Sequence, residues 1–279
     1  MAIETLAPQD VPTTLNYYIA TDDLPAYNYV DEPPEGVPRT NIGADAQSVI
    51  IHDIRGREDT VGLDKTGFQF VHHVSQEKEF VDEEAIKATY YKEVQDILKK
   101  YAGAKRVAIF DHTIRRNVSD DRSQQKPGAR GPVQRVHVDQ TYAAALERVR
   151  LHLGDDAERL LKGRVRIINV WRPIGNPVAH DPLTVADYRS INPDEDLVST
   201  RHIYPHREGS TFSVRYNPAH RWYYLANQTP DEVTLIKCFD SDTDKARLTP
   251  HSAFKDSTSP PEAPHRQSIE VRALVFDTE

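Results

Sequence analysis

The chain has 279 residues, 12 histidines and a formal net charge of −8 at pH 7. A chain of this length can bury a substantial core in one large domain, and its negative charge argues against nucleic acid or an anionic membrane as the main partner. Its single cysteine, Cys238, excludes an internal disulfide and a cysteine-rich metal site, and its apolar surroundings predict a buried strand residue.

The N-terminal part, residues 1–45, is rich in proline and acidic residues. This composition predicts an extended arm that packs on the body of the protein, residues 46–279. The first residues lack a basic region followed by an apolar run, and no stretch is long enough to span a bilayer. We therefore expect a cytoplasmic protein.

The first part of the body combines strands with one helix. A helix is predicted from Asp82, a favourable N-cap residue, to Tyr101, and Gly103 ends it. The polar run 117–131 is typical of a mobile loop, either a lid over the site or a plain solvated loop. Alternating or β-branched patterns predict strands at residues 46–56, 67–74 and 106–113.

Strands dominate the second half of the chain. Residues 141–162 have a helical pattern with a break near Gly154. Further strands are predicted at residues 165–171, 211–216, 221–225, 232–239 and 268–276. A mixed region followed by many strands predicts a mainly β fold with flanking α-helices, in which a double-stranded β-helix (jelly roll) core is braced by the helices.

The pair His137 and Asp139 is the most informative motif. Both lie in residues 133–141, whose alternation predicts a strand, so their side chains point to the same face. Such pairs also arise by chance in a chain with 12 histidines and 43 acidic residues. A third ligand from a distant strand, His251, completes a facial triad of two imidazoles and one carboxylate. That set leaves about three positions of an octahedral iron(II) open.

Other histidines compete with His251 for the third position. His202 is expected in a loop, and His220 lies in a turn-like segment where hydrogen bonding is the ordinary explanation. His251 is preferred because it precedes the strand that carries the arginines. The competing histidines are His180, His202, His206, His220 and His265.

Two arginines follow His251 and complete the pattern. Arg266 and Arg272 have the same strand parity, so both can face inward, and the guanidinium fork suits a keto-acid carboxylate. Asn169 is a candidate for a hydrogen bond to the keto acid inside the barrel. The ordered set predicts a non-haem iron(II) oxygenase that uses 2-oxoglutarate as cosubstrate and consumes O2.

These motifs resemble the gibberellin-desaturase-like and AsaB-like hydroxylase/desaturase family of fungal secondary metabolism. The matching runs are residues 110–116, 137–141, 169–173, 216–224, 230–233, 237–241, 249–254 and 266–272. The resemblance implies a double-stranded β-helix that holds iron(II) and 2-oxoglutarate, with His137, Asp139 and His251 as iron ligands. It also implies that Arg266, with Ser268 two residues later, matches the 2-oxoglutarate site better than Arg272 does.

Two other classes of protein stay open. A metal hydrolase could use the same three residues on zinc, but it would not need Arg266. A non-catalytic partner subunit of a paired oxygenase could keep the fold, although the intact ligand set argues against impaired chemistry. For the oxygenase we expect a small natural-product substrate that is hydroxylated or desaturated. The sequence leaves both a homodimer and a paired-subunit heterodimer open.

Overall fold

The computed structural model describes residues 9–116 and 131–279, so residues 1–8 of the predicted arm and residues 117–130 of the predicted loop lie outside it. The strands are β1 (Val11–Ala20), β2 (Tyr27–Tyr29), β3 (Ile42–Asp53), β4 (Phe68–His72), β5 (Arg106–Arg116), β6 (His137–Val138), β7 (Val165–Pro173), β8 (Leu183–Ala186), β9 (Leu197–Ile203), β10 (Glu208–Val214), β11 (Trp222–Tyr224), β12 (Glu232–Asp240), β13 (His251–Ala253) and β14 (Gln267–Phe276).

Two sheets face each other and enclose the core. The larger sheet has the order β1-β3-β11-β8-β13-β6-β10-β9-β2, and the smaller one β4-β12-β7-β14-β5. Apolar side chains from both sheets, such as Val138, Ile167 and Leu274, form one cluster between them. The predicted mainly β fold with flanking helices, a jelly-roll core, is confirmed.

A helical layer covers the other face of the smaller sheet. It contains α1 (Glu83–Ala85), a π-helical turn (Ile86–Tyr90) and α2 (Tyr91–Ala102). The Asp82 side chain accepts hydrogen bonds from two backbone amides at its start, and Gly103 ends it with a φ of 66°. Both ends were predicted. Because helices cover one face and the larger sheet the other, every residue of β7 is buried, including Arg166, Asn169 and Arg172.

The remaining helices are short and lie outside this layer. They are α3 (Tyr142–Leu153), α4 (Ala157–Leu160) and α5 (Pro193–Asp196), with 3-10 turns at Glu58–Thr60, Gly154–Asp156 and Tyr188–Ser190. The predicted break near Gly154 is confirmed, because a 3-10 turn separates α3 from α4 there. Across the described ranges, no helix is both long and apolar enough to cross a bilayer.

The N-terminal segment contributes strands to the larger sheet. β1 pairs antiparallel with β3 over ten residues, from Val11 opposite Ile51 to Ala20 opposite Ile42. The predicted limit at residue 45 therefore falls inside β3. The division of the chain into an arm, 1–45, and a body, 46–279, stays a prediction.

Two local expectations differ from the structure. The strand predicted over residues 133–141 has only the two ladder residues of β6, so Asp139 follows the strand instead of lying within it. His202 belongs to β9, where a loop was expected, and its side chain hydrogen bonds to Thr211. β9 was missed because its sequence is polar and lacks the alternation of a half-buried strand. Cys238 is a buried residue of β12, as predicted.

Candidate metal centre

Three of the predicted site residues meet between the sheets. β13 pairs antiparallel with β6, which puts His251 directly opposite His137, and the centres of the two rings are 4.4 Å apart. Asp139 follows β6, and one potential ligand atom from each of the three side chains lies within 4.8 Å of the other two. Within residues 9–116 and 131–279, this is the one group of three or more His, Cys, Asp or Glu side chains that could hold a metal ion.

Hydrogen bonds decide which nitrogen of each imidazole faces the carboxylate. Nδ1 of His137 lies 2.8 Å from the carbonyl oxygen of Arg135, and Nδ1 of His251 lies 3.0 Å from that of Thr249. A carbonyl oxygen only accepts, so both Nδ1 atoms donate and, in the neutral rings, both Nε2 atoms keep a lone pair. These Nε2 atoms are 3.4 and 3.9 Å from Oδ1 of Asp139. Three electron-rich atoms thus face one another, and a cation between them relieves the repulsion.

The second oxygen of Asp139 is held by the protein. Oδ2 accepts hydrogen bonds from Nδ2 of Asn169 at 2.7 Å and from Nε of Arg272 at 3.1 Å. Burial alone would raise the pKa of Asp139, but the charge of Arg272 and the neighbouring histidines hold that pKa well below its usual range. The carboxylate is therefore ionised and oriented with Oδ1 toward the two imidazoles.

The pKa values of the two histidines are shifted in opposite directions. Burial lowers the pKa of His251, and the nearby ring of His137 lowers it further, so the His251 imidazole is neutral at pH 7. Burial also lowers the pKa of His137, but the hydrogen bond and the charge of Asp139 outweigh it and raise that pKa above its usual value. A metal ion competes with a proton for the Nε2 lone pair of His137, so metal binding at this group strengthens as pH rises.

Arg272, one of the two candidate arginines, is already paired with carboxylates. Besides Asp139, it contacts Glu270 at 2.5 Å and Asp111 at 3.0 Å. Thr113 accepts a further hydrogen bond from the same guanidinium. The charge of Arg272 is thus compensated within the protein, and its fork holds Asp139.

Arg266, the other candidate, is buried without such a partner. Its Nη1 donates to the carbonyl oxygen of Asp181 at 2.5 Å, and its guanidinium carbon lies 5.6 Å from the centre of the Trp171 ring. Among the described residues, its Nε has no hydrogen-bond partner and no carboxylate forms an ion pair with its guanidinium. Burial lowers the pKa of Arg266 to about 10, so it is still a cation at pH 7. A buried cation of this kind favours an anionic ligand.

Most of the predicted site residues line a single cavity, namely His137, Asp139, His251, Arg266 and Arg272 together with Trp171. Asn169, the candidate for a hydrogen bond to the keto acid, donates to Asp139, and its buried Oδ1 has no partner among the described residues, so the bond to the keto acid stays a prediction. Ser268 is buried on β14 but lies outside the described lining of this cavity. Sequence reasoning missed the bond between Asn169 and Asp139, because the contact between β7 and the end of β6 leaves no signal in residue spacing.

Comparisons with known proteins agree with this geometry. A family model described as an oxidoreductase/YMDC permease-like domain matches residues 15–276. The chain is 39% identical over 289 residues to the hydroxylase/desaturase efuI of Hormonema carpetanum, covering 95% of each chain. It is 34% identical over 252 residues to the Fe(II)/2-oxoglutarate-dependent dioxygenase nvfI of Aspergillus novofumigatus, covering 88% of each.

A solved structure extends the likeness to three dimensions. The iron and alpha-ketoglutarate-dependent endoperoxidase NvfI superposes with a TM-score of 0.83 and 30% identity, over 97% of this chain and 99% of that one. The chain belongs to the fungal iron(II)/2-oxoglutarate-dependent oxygenases. This oxygenase is thus an oxidoreductase that uses iron(II), 2-oxoglutarate and O2, and its His–Asp–His group fits the metal in donor type and arrangement.

Asn169→Ala tests how this oxygenase orients Asp139. The substitution removes one of the two donors to Oδ2, so we expect the affinity for iron(II) to fall roughly tenfold while the KM for 2-oxoglutarate stays nearly constant. Competition with a chromogenic chelator measures the first quantity, and initial rates of succinate formation measure the second. A raised KM with unchanged iron affinity would instead support the direct bond to the keto acid that the sequence predicted.

Proposed function

We propose that His137, Asp139 and His251 hold iron(II), and that Arg266 binds the carboxylate of 2-oxoglutarate farthest from the metal. The enzyme would then hydroxylate or desaturate a small natural product. The observation that carries this proposal is the placement of a His–Asp–His group and a buried arginine, with no described carboxylate partner, in the same cavity. The names of the relatives support the reaction class.

The side chains of the site have different roles in this proposal. When bound, iron(II) with 2-oxoglutarate and O2 supplies the oxidising chemistry. His137, Asp139 and His251 would hold the metal through three donor atoms, and all three side chains line the cavity into which ligands would bind. Arg266 fixes the orientation of the keto acid through its fork, while Trp171, packed on that guanidinium, excludes water from it.

The alternatives explain less of the site. A zinc hydrolase would use the three ligands, but it would give no role to the buried charge of Arg266. A non-catalytic partner subunit would not need a complete donor set with both imidazole tautomers fixed by hydrogen bonds.

We also propose a cytoplasmic location, where 2-oxoglutarate is available. The homodimer and the paired-subunit heterodimer both stay predictions.

Anaerobic titration of metal-free protein with iron(II) and then 2-oxoglutarate tests the proposal. We expect a weak visible charge-transfer band when the keto acid chelates the metal, and loss of that band in His251→Ala. Succinate formation under air provides the second readout. Iron-loaded protein that shows neither the band nor succinate would contradict the oxygenase assignment of this site and favour the hydrolase or the non-catalytic subunit.

A further inference from the structure

A second cavity adjoins the metal centre. It has a volume of about 210 Å³ and shares Asp139 and Arg272 with the first cavity. Its other walls come from β5, α3, β9 and β10 and the turn between the last two. An outer groove of about 650 Å³ is contiguous with it, because Arg148, Arg207 and two neighbouring residues line both spaces. The second cavity thus lies between the metal centre and the outer groove.

Two arginines of this cavity lack an anionic partner. Arg148, on α3, has its guanidinium carbon 5.2 Å from the centre of the Phe110 ring. The guanidinium carbon of Arg207, in the turn between β9 and β10, lies 4.0 Å from the centre of the Tyr204 ring. Within the described ranges, neither guanidinium forms an ion pair or a side-chain hydrogen bond. Both guanidinium groups thus lie against aromatic faces, with Arg148 half-buried and Arg207 exposed, and their donors are available to a ligand in exchange for water.

The other polar groups of the cavity bind one another. Its acidic side chains, Asp111 and Asp139, are both bound to Arg272, at 3.0 and 3.1 Å. The His202 ring hydrogen bonds to a threonine. Arg148 and Arg207 are thus the charged side chains of this cavity that have no ion-pair partner within the described ranges.

We propose that Arg148 and Arg207 bind a carboxylate of the substrate, so that the oxygenase acts on carboxylic acids. This inference rests on the proposed function, which places the reacting metal at Asp139. Two planar forks supply the paired donors that a carboxylate accepts, and the aromatic faces of Phe110 and Tyr204 hold the forks in position. The carbon skeleton of the acid then fills the cavity toward Asp139. A neutral substrate would offer these two forks no charged acceptor.

Calorimetric titration with two small probes tests this inference without any metal. Cyclohexanecarboxylate and the neutral cyclohexylmethanol have the same ring, so their difference in affinity isolates the anionic group. We expect the acid to bind at least roughly tenfold more tightly, and Arg148→Gln and Arg207→Gln each to lose about tenfold for the acid alone. Arg159→Gln is the matched control, since Arg159 is an exposed arginine on α4 that pairs with Asp156.

Additional variants keep the result interpretable. All titrations are repeated in an Arg266→Gln background, because Arg266 is a second arginine that could take up the probe. Arg148→Lys keeps the charge without the fork and should retain part of the affinity. Equal affinity for acid and alcohol, or an acid affinity unchanged by both glutamine variants, would overturn the inference. Tighter binding of inorganic phosphate than of the carboxylate would also overturn it, since the anion would then be of another class.

The outcome is separable from that of the proposed function. The titrations contain no iron and no 2-oxoglutarate, so the expected affinities can be obtained whether or not the metal centre turns over. Failure of the iron titration with these affinities intact would count against the oxygenase chemistry alone. Success of the iron titration with equal affinity for acid and alcohol would count against the carboxylate site alone.

Discussion

Asp139→Ala is expected to abolish the conversion of 2-oxoglutarate to succinate and to lower the affinity for iron(II) by roughly a hundredfold or more. Oδ1 of Asp139 faces both imidazoles, so its removal leaves two neutral donors where three converged. The fold should survive, because Arg272 keeps Glu270 and Asp111 as charge partners. Chelator competition measures the iron affinity, and circular dichroism measures the fold.

Asp111→Asn is the matched control for this prediction. Asp111 also pairs with Arg272, but it is half-exposed and does not belong to the group that could hold a metal. Its substitution should leave the affinity for iron(II) close to that of the unaltered protein. Full turnover in Asp139→Ala, or equal loss of iron binding in both variants, would remove Asp139 from the proposed ligand set.

Arg266→Gln is expected to raise the KM for 2-oxoglutarate roughly a hundredfold, since the keto acid loses a buried charge-assisted pair. Arg266→Lys keeps the charge but loses the fork, and we expect a rise of about tenfold. The affinity for iron(II) should change little in either variant, because the described contacts of Arg266 do not include a member of the His–Asp–His group. Succinate formation over a range of 2-oxoglutarate concentrations measures the KM.

Arg272→Lys distinguishes the two arginines. Lysine at this position keeps a positive charge among Asp139, Glu270 and Asp111, so the KM for 2-oxoglutarate should stay close to that of the unaltered protein. A large rise in KM for Arg272→Lys, with Arg266→Lys unaffected, would exchange the roles that we propose for the two residues.

The sequence predicted all five strands of the smaller sheet, whereas β1, β8 and β9 of the larger sheet were not predicted. β7 and β12 are buried on both faces between the helices and the larger sheet, so apolar residues occur at adjacent positions in both strands, as at Ile167 and Ile168 or Leu235 and Ile236. β8 and β13 have four and three residues, too few to show a period of two. Their existence depends on pairing with each other and with strands far away in the chain, which spacing does not encode.

The candidate site, too, was predictable from the sequence only in part. The spacing of His137 and Asp139, with His251 before the arginine strand, was readable as a possible ligand set, and the structure brings the three side chains together. The sequence could not choose between Arg266 and Arg272. That difference depends on register, because Arg272 lies opposite Asp111 on β5 and Asn169 on β7. The ligand and cosubstrate roles of these residues stay predictions until they are tested.

The negative charge of Asp139 is paired with Arg272 before any metal binds, and Asn169 donates a hydrogen bond to the same carboxylate oxygen. Small zinc domains behave differently, because their ligands have no other partner and the chain unfolds when the metal is removed. Here the buried carboxylate has its donors without the metal as well, so we expect the chain to stay folded when the metal is removed. Chelation and reloading are therefore reversible steps, and one preparation can be reconstituted with different divalent ions for spectroscopy.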